Sequence, residues 1–281
     1  MKIEARQTAR ATSAERFSLR GALVVMDKEL LELRRSPLLL LSMISLPLTV
    51  VLMPLGLFAW LTHAAPDQAV DFLRDLYGIS AEGGKAAALA ALLAKNWLPM
   101  FLVLPIFLPI LIAAQSVGGE RERRTLEPLL ATRVTTLEII LGKSVAAVVP
   151  SVLITWAAAA IFCGGIDWLA LPHLGAHARA PLPDATWLFA TAVLSPLLAL
   201  FGNAIAVVLG SVVADPRAAQ NLAGMTVVPL LGALVAQLAG RVSLGWRFYS
   251  ALSLGALAAD VVLLALAARL FDREKLLTRW R

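Results

Sequence analysis

The sequence has little of what a disulfide framework or a metal site needs. It has one cysteine, Cys163, which lies inside an apolar run, and three histidines. A single cysteine supports neither a disulfide framework nor a cysteine metal site. His173 and His177 have a spacing that suits a metal on a helix, but they lie in a stretch containing Pro and Gly with no third ligand nearby. We therefore predict no metal in this chain.

Charge is missing from several runs of about twenty residues, the length that an α-helix needs to cross the hydrocarbon of a bilayer. The chain is 59% hydrophobic over 281 residues, which exceeds the apolar share of a soluble globular protein. The first twenty residues carry four arginines, and no apolar stretch of the kind found in a signal peptide follows them. Residues 1–20 are therefore predicted to be a flexible cytosolic tail.

The apolar runs predict an all-α integral membrane protein with six transmembrane helices. A transmembrane domain over residues 21–271 would be followed by a cytosolic tail at 272–281. The predicted spans are 37–61, 97–117, 137–162, 185–213, 221–240 and 248–271.

The distribution of basic residues predicts that both termini are cytosolic. With the N-terminus inside, the inner segments hold 19 of the 25 Lys and Arg residues, as the positive-inside rule requires. Trp60, Trp97, Trp168 and Trp187 would then lie near the outer membrane interface, where their amphipathic rings are favoured.

Three helix starts carry recognisable capping signals. Ser36 and Asp215 each precede a proline, which is tolerated at the first helical position because that residue needs no donor. The run 135–138, with Thr135 and Glu138 at its ends, fits a capping box at the start of the third span.

The segment 21–35 precedes the first span and has the pattern of an amphipathic helix. Ala22, Met26, Leu30 and Leu33 recur at helical spacing, whereas charged residues fall elsewhere. We predict a helix that lies on the inner membrane surface; a simple cytosolic extension of the first span is the alternative.

Prolines recur inside two predicted spans. The second span carries Pro99, Pro105 and Pro109, and the first carries Pro47 and Pro54. Each proline removes a backbone donor and can bend the helix. The bends either line a transport path or shape the packing of the helices.

Asp260 is the acid that lies deepest in a predicted span. An intramembrane carboxylate is costly and is therefore a candidate for function. Asn203, Gln237 and Ser253 are the candidate partners in other parts of the spans. Asp260 is expected either to be neutral and hydrogen-bonded at a helix contact or to act on substrate or protons.

The loop between the second and third spans, residues 118–143, combines charges of both signs with an apolar stripe. Leu126, Leu129, Leu130 and Val134 share one face of a short helix predicted to begin near Pro128. This helix lies outside the membrane, so its apolar stripe predicts contact with lipid headgroups or a groove on a partner protein. Charged residues around it would set the register of docking. These are Glu120, Arg121, Glu122, Arg123, Arg124 and Glu127.

The same loop resembles the signature loop of ABC-2 type permeases. The resemblance rests on residues 119–123, on 125–132 with the sequence Thr-Leu-Glu-Pro-Leu-Leu-Ala-Thr, and on 138–143 with Glu-Ile-Ile-Leu-Gly-Lys. The segment Asp27-Lys28-Glu29-Leu30 with Arg34-Arg35 is similar to the N-terminal helix of that family. One position departs from the pattern, because Arg124 stands where the family usually has glycine.

The resemblance implies the permease subunit of an ATP-binding cassette exporter in the cytoplasmic membrane, with no enzymatic activity of its own. Two permease copies, identical or different, would pair, and each would sit on a cytosolic ATPase subunit that carries ATP and Mg²⁺. The loop would contain the coupling helix that fits a cleft in the ATPase. The residues implied in coupling are Glu120, Arg121, Glu122, Arg123, Thr125, Leu126, Glu127, Leu129, Leu130, Gly142 and Lys143.

Two other functions were compared with this one. An ion-coupled secondary carrier would use Asp260, but no internal repeat accompanies it. A membrane scaffold would dock a partner on the loop without transport. ATP binding by this chain is not predicted, because Gly142-Lys143-Ser144 lacks the earlier glycine of a phosphate-binding loop and no strand precedes it.

Overall fold

A computed structural model describes residues 18–64, 67–68, 71, 75, 84–122, 135–170, 182–213 and 215–270. Every regular element in these ranges is helical, as the composition predicts. The helices are α1 (Leu19–Arg35), α2 (Pro37–Ala64), α3 (Gly84–Phe101), α4 (Val103–Glu122), α5 (Thr136–Ala170), α6 (Ala185–Phe189), α7 (Ser195–Val212), α8 (Pro216–Gly224), α9 (Val228–Leu238) and α10 (Trp246–Leu270).

Six helical stretches are long and apolar enough to cross a membrane, which confirms the predicted number of spans. They are Pro37–Ala64, Ala86–Ala113, Glu138–Ala170, Ala185–Val212, Arg217–Leu238 and Trp246–Ala267. The second and fourth spans are formed by α3 with α4 and by α6 with α7, and the fifth by α8 with α9.

The second span begins at Ala86, well before the predicted start at 97. The stretch between Lys85 and Lys95 is rich in alanine and leucine, so it continues the helix and packs inside the bundle. The two lysines made this stretch resemble a loop in the sequence. The third span also runs eight residues beyond its predicted end at 162.

The second span is the centre of the bundle. In its most apolar stretch 83% of the residues are buried, compared with 22% for the fifth and sixth spans. The ring of Phe101 contacts Phe162 in a tilted and Trp187 in an edge-on arrangement, with ring centroids 5.0 and 5.2 Å away. Aromatic contacts of this kind add to the area that the rings bury, and they join the second, third and fourth spans.

Prolines lie inside both spans for which bends are predicted, but α2 runs without a break through Pro47 and Pro54. The second span breaks between α3 and α4 at Leu102, three residues before Pro105. In the fourth span a π-helical turn, Ala190–Leu194, separates α6 from α7. Short 3₁₀ geometry at Met225–Val227 separates α8 from α9. Bending of the spans by proline, whether it lines a transport path or shapes packing, stays a prediction.

The four tryptophans predicted to lie at the outer interface divide into two pairs. Trp60 and Trp168 are exposed, as side chains at a membrane interface are. Trp187 is 2% exposed and donates its Nε1–H to the Ala94 carbonyl at 3.2 Å. Trp97 donates to the Val50 carbonyl at 3.0 Å. The latter two residues face the bundle because each finds a hydrogen-bond acceptor on a neighbouring helix.

Candidate functional site

Most of the predicted coupling loop lies outside the described residues. This applies to Arg123, Thr125, Leu126, Glu127, Leu129 and Leu130, and to the helix predicted to begin near Pro128. Glu120, Arg121 and Glu122 are helical at the end of α4, but their side chains also lie outside the described part. The structure describes the C-terminal end of the loop, from Thr135 to Lys143.

The predicted capping box opens α5. The Thr135 backbone N–H donates to Glu138 Oε2 at 2.7 Å, and the Glu138 N–H donates to Thr135 Oγ1 at 3.3 Å. The two residues thus satisfy each other's backbone donors at the helix start. Asp215 caps α8 in a comparable way, because its carboxylate accepts the N–H groups of Arg217 and Ala218. Both sequence predictions are confirmed.

Glu138 also holds the start of α1. Its second carboxylate oxygen accepts the backbone N–H of Ser18, the residue that precedes α1, and its side chain is buried. One carboxylate therefore satisfies backbone donors at two helix starts, and Ser18 and Glu138 are 120 residues apart in sequence. This second contact was not predicted, since the capping-box pattern shows only the local partner.

A close crossing of α1 and α5 accounts for Gly142. A Cβ atom at this position would lie 2.6 Å from the Ala22 carbonyl oxygen and 2.7 Å from the Val25 Cβ. Both neighbouring atoms belong to α1, and neither is the flexible end of a side chain. Glycine is therefore needed here because the two helices approach so closely. Gly142, which the sequence indicates as a coupling residue, lies in a helix-packing contact.

Lys143 forms a buried ion pair with Glu29 of α1. Lys143 Nζ lies 2.6 Å from Glu29 Oε1, and the two side chains are 9% and 6% exposed. Lys28 is also near Glu29, at 3.4 Å, but its side chain is more exposed. A buried charge must be paired to be tolerated, so each member of the Glu29–Lys143 pair depends on the other.

We call these contacts the clamp: Ser18 with Glu138, Ala22 and Val25 with Gly142, and Glu29 with Lys143. The clamp joins α1 to the first two turns of α5, at the C-terminal end of the coupling loop. Glu29 is the functional candidate that the sequence did not single out. Its signal is an acid within the apolar face formed by Ala22, Met26, Leu30 and Leu33.

The helix predicted at 21–35 is present as α1. Its buried residues are Val25 and Glu29, and Glu29 pairs with Lys143 of α5. The residues of the predicted stripe are half-buried, whereas Leu19, Leu23, Val24 and Leu31 are exposed. The sequence pattern therefore identified the helix correctly, and its place on the inner membrane surface stays a prediction.

The intramembrane polar candidates do not form one cluster. Asn203 Nδ2 donates to Ser144 Oγ at 2.9 Å, which links the fourth span to the third. Gln237 Nε2 donates to the Lys95 carbonyl at 2.8 Å and to Asn96 Oδ1 at 3.0 Å, which links the fifth span to the second. Each therefore connects two helices inside the bundle.

Asp260 differs from these candidates. It is 3% exposed, and neither carboxylate oxygen has a hydrogen-bond partner within the part of the chain that the structure describes. The partners predicted from the sequence are wrong, because Asn203 and Gln237 donate elsewhere and Ser253 donates to the Tyr249 carbonyl. The sequence could identify the buried acid but could not show what surrounds it.

Gly142, Lys143 and Ser144 lie within a helix and not in a phosphate-binding loop. Lys143 is paired with Glu29, and Ser144 accepts from Asn203. His173 and His177 lie outside the described residues. Among the residues that are described, no three His, Cys, Asp or Glu side chains come together as metal ligands would.

A comparison with protein families gives an assignment for this architecture. The family model described as "ABC-2 family transporter protein" matches residues 23–242, which is most of the chain. The chain belongs to the ABC-2 transporter family. As an ABC-2 permease it is a multi-pass membrane protein, and the family is the non-enzymatic membrane component of an ABC transporter. The match includes the Glu29–Lys143 pair of the clamp, as well as Asn203 and Gln237, whereas Ser18 and Ala22 of the clamp precede it. No curated protein matches the chain in a search by sequence similarity.

Proposed function

We propose that this ABC-2 permease is the membrane subunit of an exporter in the cytoplasmic membrane. A separate cytosolic ATPase subunit docks on residues 118–143 and supplies the energy. Both termini are cytosolic in this proposal, since that orientation puts most basic residues on the inner side. Two permease copies pair about a two-fold axis, the commonest arrangement of oligomers.

The observation that carries the proposal is the clamp. A docked ATPase would push or pull on the coupling loop, and the chain leaves that loop through Thr135 and α5. Because Glu138, Gly142 and Lys143 fix the start of α5 to α1, a displacement of the loop would move both helices together. Rigid-body movement of this kind is a common way to switch between two states of a membrane domain.

The docking site is tested by replacing Leu129 and Leu130 with Asp. The expected result is loss of the ATPase from the complex purified through a tag on the permease, with membrane insertion intact, because charge replaces the apolar stripe. The matched control is the same change at Leu276 and Leu277, a leucine pair in the predicted cytosolic tail. If the ATPase co-purifies equally well with both variants, it does not dock on this loop.

The role of the loop's glutamates is a separate question. We expect Glu120→Gln with Glu122→Gln to leave the complex assembled but to lower transport for each ATP hydrolysed, because these residues stand where the second span ends. Transport and hydrolysis are measured together in vesicles. Unchanged transport for each ATP would mean that the two carboxylates have no part in coupling.

An ion-coupled carrier is the second candidate, and the observation that favours it is the carboxylate of Asp260, which has no hydrogen-bond partner among the described residues. A buried acid in a span is a natural site for a proton or a cation. Transport driven by an ion gradient in vesicles that lack any ATPase would support the carrier. Transport that requires ATP and survives Asp260→Asn would exclude it.

A further inference from the structure

Prolines in three spans remove the helical donor from a backbone carbonyl, and in each case a side chain from another helix donates to that carbonyl. A helical carbonyl normally accepts the N–H four residues later, which proline lacks. Pro54 thus removes the donor for Val50, and Pro99 the donor for Lys95. Trp97 donates to the first carbonyl at 3.0 Å and Gln237 to the second at 2.8 Å.

The fourth span shows the same relation with π-helical spacing. The Ser195 N–H donates to the Ala190 carbonyl, five residues back. At the same five-residue spacing the donor to the Thr191 carbonyl would be the N–H of residue 196, but Pro196 has none. Trp156 Nε1 of the third span donates to the Thr191 carbonyl at 2.7 Å, and Ser195 Oγ donates at 2.6 Å. In hydrocarbon a carbonyl without a donor is costly, and in these three cases a side chain of a neighbouring helix supplies one.

Residues 94–97 of the second span are hydrogen-bonded to three other spans. The Ala94 carbonyl accepts from Trp187 of the fourth span. The Lys95 carbonyl and Asn96 Oδ1 accept from Gln237 of the fifth span. Trp97 donates to the first span. We call residues 94–97 the hub, since one turn of a central helix is hydrogen-bonded to three other spans.

We propose that Gln237 is a positioning residue for transport. It donates a hydrogen bond to the Lys95 carbonyl, which Pro99 leaves without a helical donor, and so connects the fifth span to the hub. The fifth and second spans then move together during the ATP-driven cycle. The coupled movement of the two spans rests on the proposed function, whereas the hydrogen bond between Gln237 and the Lys95 carbonyl does not.

Little of the end of the fifth span is buried within the part of the chain that the structure describes. Only 22% of its most apolar stretch is buried, and the nearby Val235 and Leu238 are exposed. Gln237 is 1% exposed and is one of two buried side chains in α9, with Leu230. The hydrogen bonds of Gln237 therefore give the end of the fifth span a directional contact with the beginning of the second.

The contact is tested by a double-mutant cycle between Gln237 and Pro99. Gln237→Met keeps the length of the side chain but removes the donor, so it is expected to lower the melting temperature of the permease–ATPase complex in nanodiscs by several degrees. Pro99→Ala restores a backbone N–H to the Lys95 carbonyl from within its own helix. The double variant should recover part of the lost melting temperature. The recovery is only partial because Asn96 Oδ1 still lacks the donor that Gln237 provided. If Pro99→Ala gives the Gln237→Met variant no recovery, Gln237 does not act through this carbonyl.

Coupled movement is tested by maleimide labelling of Val242→Cys in a Cys163→Ala background. Val242 is 49% exposed and follows the fifth span, whereas Cys163 is buried. Trapping the complex with ATP and vanadate is expected to change the labelling rate when Gln237 is present. The change should be lost in Gln237→Met and should stay lost in the double variant, because its restored donor lies within α3 and no longer connects the spans.

The outcomes separate the contact from the function. A labelling response that returns in the double variant, or that survives in Gln237→Met, would overturn the positioning role of Gln237. If trapping has no effect even with Gln237 present, the proposed ATP coupling fails, and the coupled movement fails with it. The melting temperatures still decide whether Gln237 serves the Lys95 carbonyl.

Discussion

Lys143→Met is expected to destabilise this permease strongly, because it removes the buried counter-ion of the Glu29 carboxylate. The two side chains are 9% and 6% exposed, and 2.6 Å separates Lys143 Nζ from Glu29 Oε1. Removing one partner of a buried ion pair typically costs about 3–5 kcal/mol, since the remaining charge has lost its compensation. Methionine is chosen because it has a similar length and no charge.

Lys28→Met is the matched control for this change. Lys28 Nζ also lies within 3.4 Å of Glu29, but its side chain is 37% exposed. A pair with an exposed partner contributes less, about 0–1 kcal/mol for fully exposed pairs, because water screens the ammonium. Lys28 also lies 3.3 Å from Glu32, so Lys28→Met removes an exposed ammonium from two carboxylates, whereas Lys143→Met removes a buried one from Glu29.

The double variant Glu29→Leu with Lys143→Met is expected to recover most of the lost stability. Replacing a buried pair by apolar residues of similar size is often neutral or stabilising by about 1–4 kcal/mol, since neither charge has to be taken out of water. Thermal unfolding in detergent micelles, followed by loss of monodisperse protein, measures all four proteins of the cycle. The reasoning would be refuted if Lys143→Met and Lys28→Met had equal effects, or if the double variant were no more stable than Lys143→Met.

Three further predictions follow from the packing of the spans. Gly142→Ala should lower stability by about 1–3 kcal/mol through overpacking against Ala22 and Val25, whereas Gly164→Ala on the same helix meets open space and should be neutral or stabilising by thermal unfolding. Trp97→Phe should destabilise because the Val50 carbonyl loses its donor, and Pro54→Ala should restore part of the loss; equal melting of the single and double variants would contradict this. Asp260→Leu should not lower the melting temperature, because no described donor would be left without its acceptor, and a clear loss of stability would show that the carboxylate has a partner.

The number of spans could be predicted because the signal is local. A run of about twenty apolar residues has few alternatives to a membrane helix, and capping residues such as Asp215 and Glu138 act within one turn. The start of the second span was missed for a local reason as well. Lys85 and Lys95 frame a stretch rich in alanine, and a buried helix of small residues has a weaker apolar signal than one of leucine and valine.

The contacts between helices could not be predicted in the same way. Glu29 and Lys143 are 114 residues apart, and Gln237 and Lys95 are 142 residues apart. Each of these residues carries a sequence signal. Glu29 is an acid in an apolar stripe and Lys143 a lysine two turns into a helix. Gln237 is an amide in a span, and Lys95 stands four residues before a proline. Pairing those residues requires the packing of the spans, which no short pattern encodes. The predicted partners of Asp260 were wrong for this reason.

The clamp and the hub use different chemistry because one lies near the coupling loop and the other inside the apolar spans. The clamp lies next to the coupling loop and uses an ion pair and a capping carboxylate, whose strength falls sharply when the geometry is lost. The hub lies inside apolar spans, where an ion pair would be expensive, and it uses uncharged donors, two of which serve carbonyls that have lost their helical donor to Pro54 and Pro99. Proline therefore has a second effect in this permease beyond bending a helix. It creates an acceptor at a defined position, and a tryptophan or glutamine on another span then fixes how the two helices lie against each other. On this argument Pro54, Pro99 and Pro196 and the packing of the helices that donate to the freed carbonyls are one feature, so a proline and its donor should be replaced together if either is to be replaced without loss.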